Sequence, residues 1–206
     1  RDDDDEQADE DLAQKSHARE SRRQTPSCHL TACPHSIPPR APYIGGMYAF
    51  VPNAGASTAE IHAELRAAAV AITDGEPDGI ANMANVAALL AEFLPDLNWA
   101  GFYRMVEGEL VLGPFIGKPA CIRIPLDRGV CGAAARSGTT QRVEDVHAFP
   151  GHIACDAASR SELVVPVIRG GAVIAVIDLD SPLPGRFSAE DAAGIEALAE
   201  AIAERI

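Results

Sequence analysis

From Ser57 to about Leu94 the apolar residues recur at helical spacing, and from Asn98 to Asp180 they recur at every second position. This switch of period is the feature that most limits the folds open to the chain. Ser57-Thr58-Ala59-Glu60 is a capping box ahead of Ile61, Leu65, Ala68 and Ile72, which predicts a helix over about 57–73. A second helix, from about Asp78 to Leu94, carries Ile80, Met83, Ala87, Leu90 and Leu94 on its apolar side. "NWAGFYRM" and "ELVLGPFI" then predict strands joined at Glu107-Gly108. "CIRIPL" is a short strand, "GVCGAAARSG" a short helix closed by Gly138, and "TQRVED" another strand. "ELVVPVI" and "AVIAVIDLD" pair across Arg169-Gly170-Gly171, and a last helix begins at the box Ser188 to Asp191, with Ile195, Leu198, Ala199 and Ile202 inward. The order predicts an α+β fold, a mostly antiparallel central sheet flanked by helices.

One strand ends oddly. In "AVIAVIDLDSP" the residues Asp178 and Asp180 fall on one face, continuing the row Ala172, Ile174, Val176, with their positions about 7 Å apart. Either the strand runs out into solvent or two carboxylates floor a pocket. Glu162 bears on the choice through the turn. A two-residue Gly170-Gly171 turn sets Leu163 opposite Asp178, whereas a three-residue loop with a bulge brings Glu162 there.

Composition narrows the partners. The chain has 206 residues, 47% of them apolar, and a formal net charge of −13 with only 17 Lys and Arg. No basic cluster offers itself to nucleic acid or an anionic membrane. The sequence shows no signal-peptide pattern and no long apolar span, so a cytoplasmic protein is expected. Residues 1–46 hold an acidic run and five of the 15 prolines without apolar periodicity. They predict a disordered extension ahead of a folded domain over 47–206.

Five cysteines invite chemistry. Cys28 and Cys33, beside His29 and His35, match no zinc-finger spacing, and no metal is expected. In the folded part, Cys131 opens the short helix, where the dipole is expected to lower its pKa. Cys155 lies in the irregular stretch "EDVHAFPGHIACDAASRS", among small polar residues that suit a nucleophile, and Cys121 stands at the mouth of a strand. Each could equally be a small buried hydrophobe. His147 and His152 near Cys155 allow a thiol hydrolase, but no orienting acid or oxyanion hole is evident. No glycine run cradles phosphate. Trp99 and Tyr103, four apart on a strand, are either core aromatics or a pocket wall.

Taken together, "NWAGFY", "LVLGPFIGKPACIRIP", "GVCGAAA", "VEDVHAFPGHIACDAASRSELVVP" and "VIDLDSP" strongly resemble the free methionine-(R)-sulfoxide reductases, a branch of the GAF-domain superfamily. The resemblance covers about residues 57–205. It implies a GAF fold, a homodimer, and reduction of free L-methionine (R)-S-oxide at the expense of thioredoxin and ultimately NADPH, with no bound cofactor. It also implies that Cys155 is the nucleophile, Cys121 the resolving thiol and Cys131 a helper, and that Glu162, Asp178 and Asp180 hold the substrate. Trp99 and Tyr103 would then wall the S-methyl end. The acids fit that chemistry, because a sulfoxide oxygen must be protonated to leave and clustered carboxyls keep one of their number protonated. A GAF module that only binds a small ligand, or a redox sensor using the same thiols, is the competing class.

Overall fold

The computed structural model describes residue 53 and residues 55–151 and 157–206. The expected disordered extension 1–46, with Cys28 and Cys33, lies outside the described residues, as do His152 and Cys155.

Helix α1 (Thr58–Ile72) is capped by Ser57, whose side chain accepts from the Glu60 N–H while the Glu60 carboxylate accepts from Ser57 N–H. Helix α2 (Gly79–Phe93) starts from Asp78, whose Oδ1 accepts from the N–H groups of Ile80 and Ala81. Both caps satisfy N–H groups that a helix leaves without partners. The strands β1 (Trp99–Val106), β2 (Glu109–Gly117) and β3 (Arg123–Ile124) follow, then helix α3 (Gly129–Ser137), strand β4 (Gln141–Val143) and a short 3-10 turn at Val146–Ala148. Strands β5 (Ser161–Arg169) and β6 (Ala172–Ser181) and helix α4 (Ala189–Ile202) complete the chain. The expected "CIRIPL" strand shrinks to two paired residues, leaving Cys121 in the connection before it. No helix among the described residues is long and apolar enough to cross a membrane.

The strands form one antiparallel sheet in the order β3-β2-β1-β6-β5-β4. Alternation divides the strand residues between two cores. Phe102, Leu163, Val165, Ile177 and Leu179 face α1, α2 and α4 in the larger core with Leu65, Val86, Leu90 and Leu198. Each such side chain contributes about 1.5–3 kcal/mol by leaving water. Trp99, Tyr103, Val164 and Val176 face the other way, onto α3 and β3, with Leu110, Ile124, Val130 and Ala134. Ile80, expected inward on α2, is 45% exposed and borders an open groove between the helix and the sheet.

Both hairpin turns have two central residues at positive φ, Glu107 and Gly108 (50° and 87°) and Gly170 and Gly171 (58° and 80°). That geometry matches the right-handed twist of the strands it joins. The second turn is the two-residue kind, pairing Arg169 with Ala172. The register nevertheless shifts, because Ile168 pairs with Val173 and Val167 with Ala175, leaving Ile174 as an extra residue in β6. Beyond this bulge Val164 pairs with Asp178 and Glu162 with Asp180. Neither arrangement expected for the turn occurs as such: the turn is tight, and the bulge lies on β6. The row of same-face residues is accordingly corrected. Val173, not Ile174, shares the side of Val176, while Ile174 packs toward the helices.

Candidate active site

Three neighbouring strands bring the site together in two ranks. In the first, Trp99 of β1, Asp180 of β6 and Glu162 of β5 stand side by side. In the second, Gly101, Asp178 and Val164 do. All these positions share the face that carries α3, so the strand end is no solvated edge: Glu162 and Asp178 are each only 6% exposed. Gly101 separates the two aromatics, and a Cβ there would stand 2.4 Å from Cβ of Phe115. Ring centroids of Trp99 and Tyr103 are 5.8 Å apart, although four strand positions span about 13 Å. The rings therefore lean together over the glycine, and Phe115 extends the stack at 5.2 Å from Trp99.

The rings also hold the chain that carries Cys121. The Trp99 indole N–H donates to the Lys118 carbonyl at 3.2 Å, and the Tyr103 hydroxyl donates to the Cys121 carbonyl at 3.0 Å. Trp99, Tyr103, Lys118, Pro119, Ala120, Asp178 and Asp180 line a small cleft whose free volume is about 10 Å³, room for about one water. That is below the roughly 300–1,000 Å³ of pockets for drug-sized ligands. A larger groove, about 400 Å³, runs between Ile80, Met83, Val173 and Ile206, and it holds none of the acids or thiols of the site.

Helix α3 brings in the thiol. Cys131 is 4% exposed, and its Sγ lies 3.9 Å from Oε1 of Glu162. Its pKa is corrected in direction. The helix start was expected to lower it, but burial, with the carboxylates of Asp178 and Glu162, pushes it well above the usual thiol value. Desolvation and two anionic neighbours outweigh a dipole worth at most a kcal/mol or so. Glu162 is pushed well above the carboxylate range by burial and by the charges of Asp178 and Asp180. Asp178 is raised to about 6 by burial, with hydrogen bonds from Cys131 and Glu162 opposing the rise. Among the described residues neither Glu162 nor Asp178 is ion-paired to Arg or Lys. Crowding buried carboxyls in this way favours the protonated form of Glu162.

The structure thus unites Trp99, Tyr103, Cys131, Glu162, Asp178 and Asp180, with Cys121 half-buried at the rim. Cys155, the nucleophile that the family resemblance implies, lies outside the described residues. Sequence reasoning missed Lys118, Pro119 and Ala120 as wall residues and Phe115 as the ring stacked on Trp99. Gly101, a glycine centred in an apolar strand, was the available sign that two groups approach closely there.

Fold and site together are those of a GAF domain, and the GAF-domain family model matches residues 81–206. The free methionine-R-sulfoxide reductase of Escherichia coli is 52% identical over 139 residues, 68% of this chain and 84% of that protein. Its counterpart in Saccharomyces cerevisiae is 40% identical over 151 residues, 69% and 84% of the two chains. The X-ray structure of free methionine-R-sulfoxide reductase from Neisseria meningitidis in complex with its substrate is 41% identical. It aligns over 77% of this chain and 95% of that one, with a TM-score of 0.73. The chain belongs to the free methionine-R-sulfoxide reductase family of GAF-domain proteins.

Proposed function

We propose that this protein reduces free L-methionine (R)-S-oxide to L-methionine, and that the cleft beneath Trp99 and Tyr103 binds the substrate. The observation that carries the reading is the buried cluster of Glu162 and Asp178 beside Asp180 and Trp99 at one end of the sheet, where crowding raises the pKa values of Glu162 and Asp178. Glu162 donates its proton to the sulfoxide oxygen, turning it into a leaving group. Asp178 and Asp180 accept from the ammonium group, and the two rings pack against the S-methyl end.

Cys155 thiolate attacks the sulfoxide sulfur, the S–O bond breaks, and the oxygen ends on Cys155 as a sulfenic acid while methionine departs. The Cys121 thiol then attacks that sulfenic sulfur, water leaves, and a Cys121–Cys155 disulfide remains. The dithiol of thioredoxin returns both thiols by exchange, the electrons coming from NADPH. Cys131 acts as a helper by donating toward Glu162. The enzyme is a cytoplasmic homodimer in this reading, which draws on the family resemblance.

The test is thioredoxin-coupled NADPH consumption with the separate R and S diastereomers of free methionine sulfoxide and with a blocked, peptide-bound form. Turnover of the free R form alone is expected. Equal turnover of the blocked form refutes the reading, because its nitrogen offers the acids no cation. Release of one methionine per chain followed by arrest, with thioredoxin present, marks a redox sensor instead.

A further inference from the structure

We infer that the reduced protein binds one Zn²⁺ per chain through the Cys131 thiolate and the carboxylates of Glu162 and Asp178, and that zinc and substrate exclude one another. One ligand atom from each of the three residues lies within 4.8 Å of the other two, and all three residues are buried. Tetrahedral zinc, with bonds of about 2.3 Å to sulfur and about 2.1 Å to oxygen, needs ligand atoms about 3.4–3.6 Å apart. The Cys131 Sγ to Glu162 Oε1 distance of 3.9 Å is already close to that. The remaining contraction, about an ångström, is within reach of carboxylate rotation.

A second, independent feature points the same way. Oδ1 of Asp178 is buried with no hydrogen-bond partner among the described residues, which leaves a desolvated lone pair beside the cluster. Such atoms are rare in folded proteins because each costs about 1–3 kcal/mol. A cation bound there satisfies it. The donor set selects the metal: a thiolate disfavours Mg²⁺ and Ca²⁺, while one sulfur and two carboxylate oxygens suit borderline Zn²⁺. Three protein ligands leave the fourth tetrahedral position to water. Binding expels the thiol proton and whatever proton Glu162 carries, so affinity rises with pH. Exclusion follows because the metal occupies the two acids that the sulfoxide and ammonium groups require. That clause alone rests on the substrate assignment.

Co²⁺ titration of the reduced, full-length protein without oxygen tests the site independently of turnover. One equivalent is expected to give a thiolate-to-cobalt charge-transfer band in the near ultraviolet, and Zn²⁺ is expected to abolish it by displacement. Cys131→Ala should remove the band. Asp178→Asn and Glu162→Gln should keep it while weakening affinity about tenfold or more, at least the scale known for outer-shell changes. A band that survives Cys131→Ala, or affinity unchanged in both acid variants, overturns the site. Should Cys131→Ala fail to fold, the acid variants decide alone. Free methionine (R)-S-oxide should raise the apparent Co²⁺ dissociation constant. If the ligand variants behave as expected and the sulfoxide does not compete, the metal site stands and the claim of exclusion falls, together with the placement of substrate on these acids.

Discussion

Replacing Asp178 by Asn should make the protein more stable and less active at once. The carboxyl is buried, and its pKa rises from an ordinary value near 3.8 to about 6. An acid whose folded-state pKa is raised costs no stability below about pH 3.8. The penalty then grows through the interval up to 6 and is fully present above it. Each unit is worth about 1.4 kcal/mol, so the 2.2-unit rise amounts to about 3 kcal/mol. Asparagine fills the same space without the charge, and the variant should gain about that much at pH 7.5 but only about 1 kcal/mol at pH 4.5. For a domain of this size the advantage in Tm should therefore widen by roughly 4–8 °C between the two pH values. Thermal unfolding followed by circular dichroism at both pH values measures it. Turnover at pH 7.5 should meanwhile fall by about a hundredfold or more, the scale of a lost charge contact in the transition state. An advantage that is equal at both pH values, or absent at pH 7.5, refutes the idea that Asp178 is held charged at a cost, and near-normal turnover refutes its role at the substrate.

Three further outcomes are expected. Tyr103→Phe keeps the ring and removes only the hydrogen bond to the Cys121 carbonyl. Single-turnover release of methionine should be within about twofold of normal while disulfide formation slows several-fold, which quenched-flow sampling with thiol counting would show; a slowed first step would place the hydroxyl at the substrate. Gly194→Ala should destabilise by about 1–3 kcal/mol in denaturant unfolding even though alanine favours helices, because the new Cβ would stand 2.3 Å from His62 Cγ. His62 cannot easily withdraw, since its Nε2 is 3.0 Å from Oδ1 of Asp191, which caps α4; a neutral or stabilising result would show that the contact relaxes freely. In the native reduced protein at pH 7.5, iodoacetamide should label Cys121 at least about tenfold faster than Cys131, whose thiol is buried and raised in pKa. Peptide mapping reads both sites, and comparable rates would contradict the desolvated thiol.

Local chemistry made most of the elements legible in the sequence. Ser57 with Glu60, Asp78, and Ser188 with Asp191 cap the helices where their side chains predict, and the hairpins turn at Glu107-Gly108 and Gly170-Gly171, where Gly108, Gly170 and Gly171 supply positive φ freely and Glu107 adopts it at φ 50°. What sequence could not supply was whatever depends on distant packing. The Cys131 pKa moves opposite to the expectation because packing buries the thiol and because Asp178 and Glu162 reach it from β6 and β5, at positions 31 or more away. Ile80 has the right spacing for a core residue, but whether a helix edge is covered depends on where its neighbours end. The facing of Glu162 depended on a bulge, which has no reliable signature among β-branched residues such as Val173 and Ile174.

That bulge has a consequence for how this site tolerates change in chain length. Counting back from the turn, one residue too many separates Gly171 from Asp178, and Ile174 absorbs the surplus. If Ile174 were deleted, the tight turn would lead directly into an uninterrupted ladder in which Val167 still meets Ala175 and Val164 still meets Asp178. The acids are thus fixed by the alternation of Ile177 and Leu179 against Leu163 and Val165, not by their distance from the turn. Deletion of Ile174 should consequently be silent for the chemistry. It would cost packing, about 1–2 kcal/mol for a half-buried isoleucine, while the carboxylates keep their address.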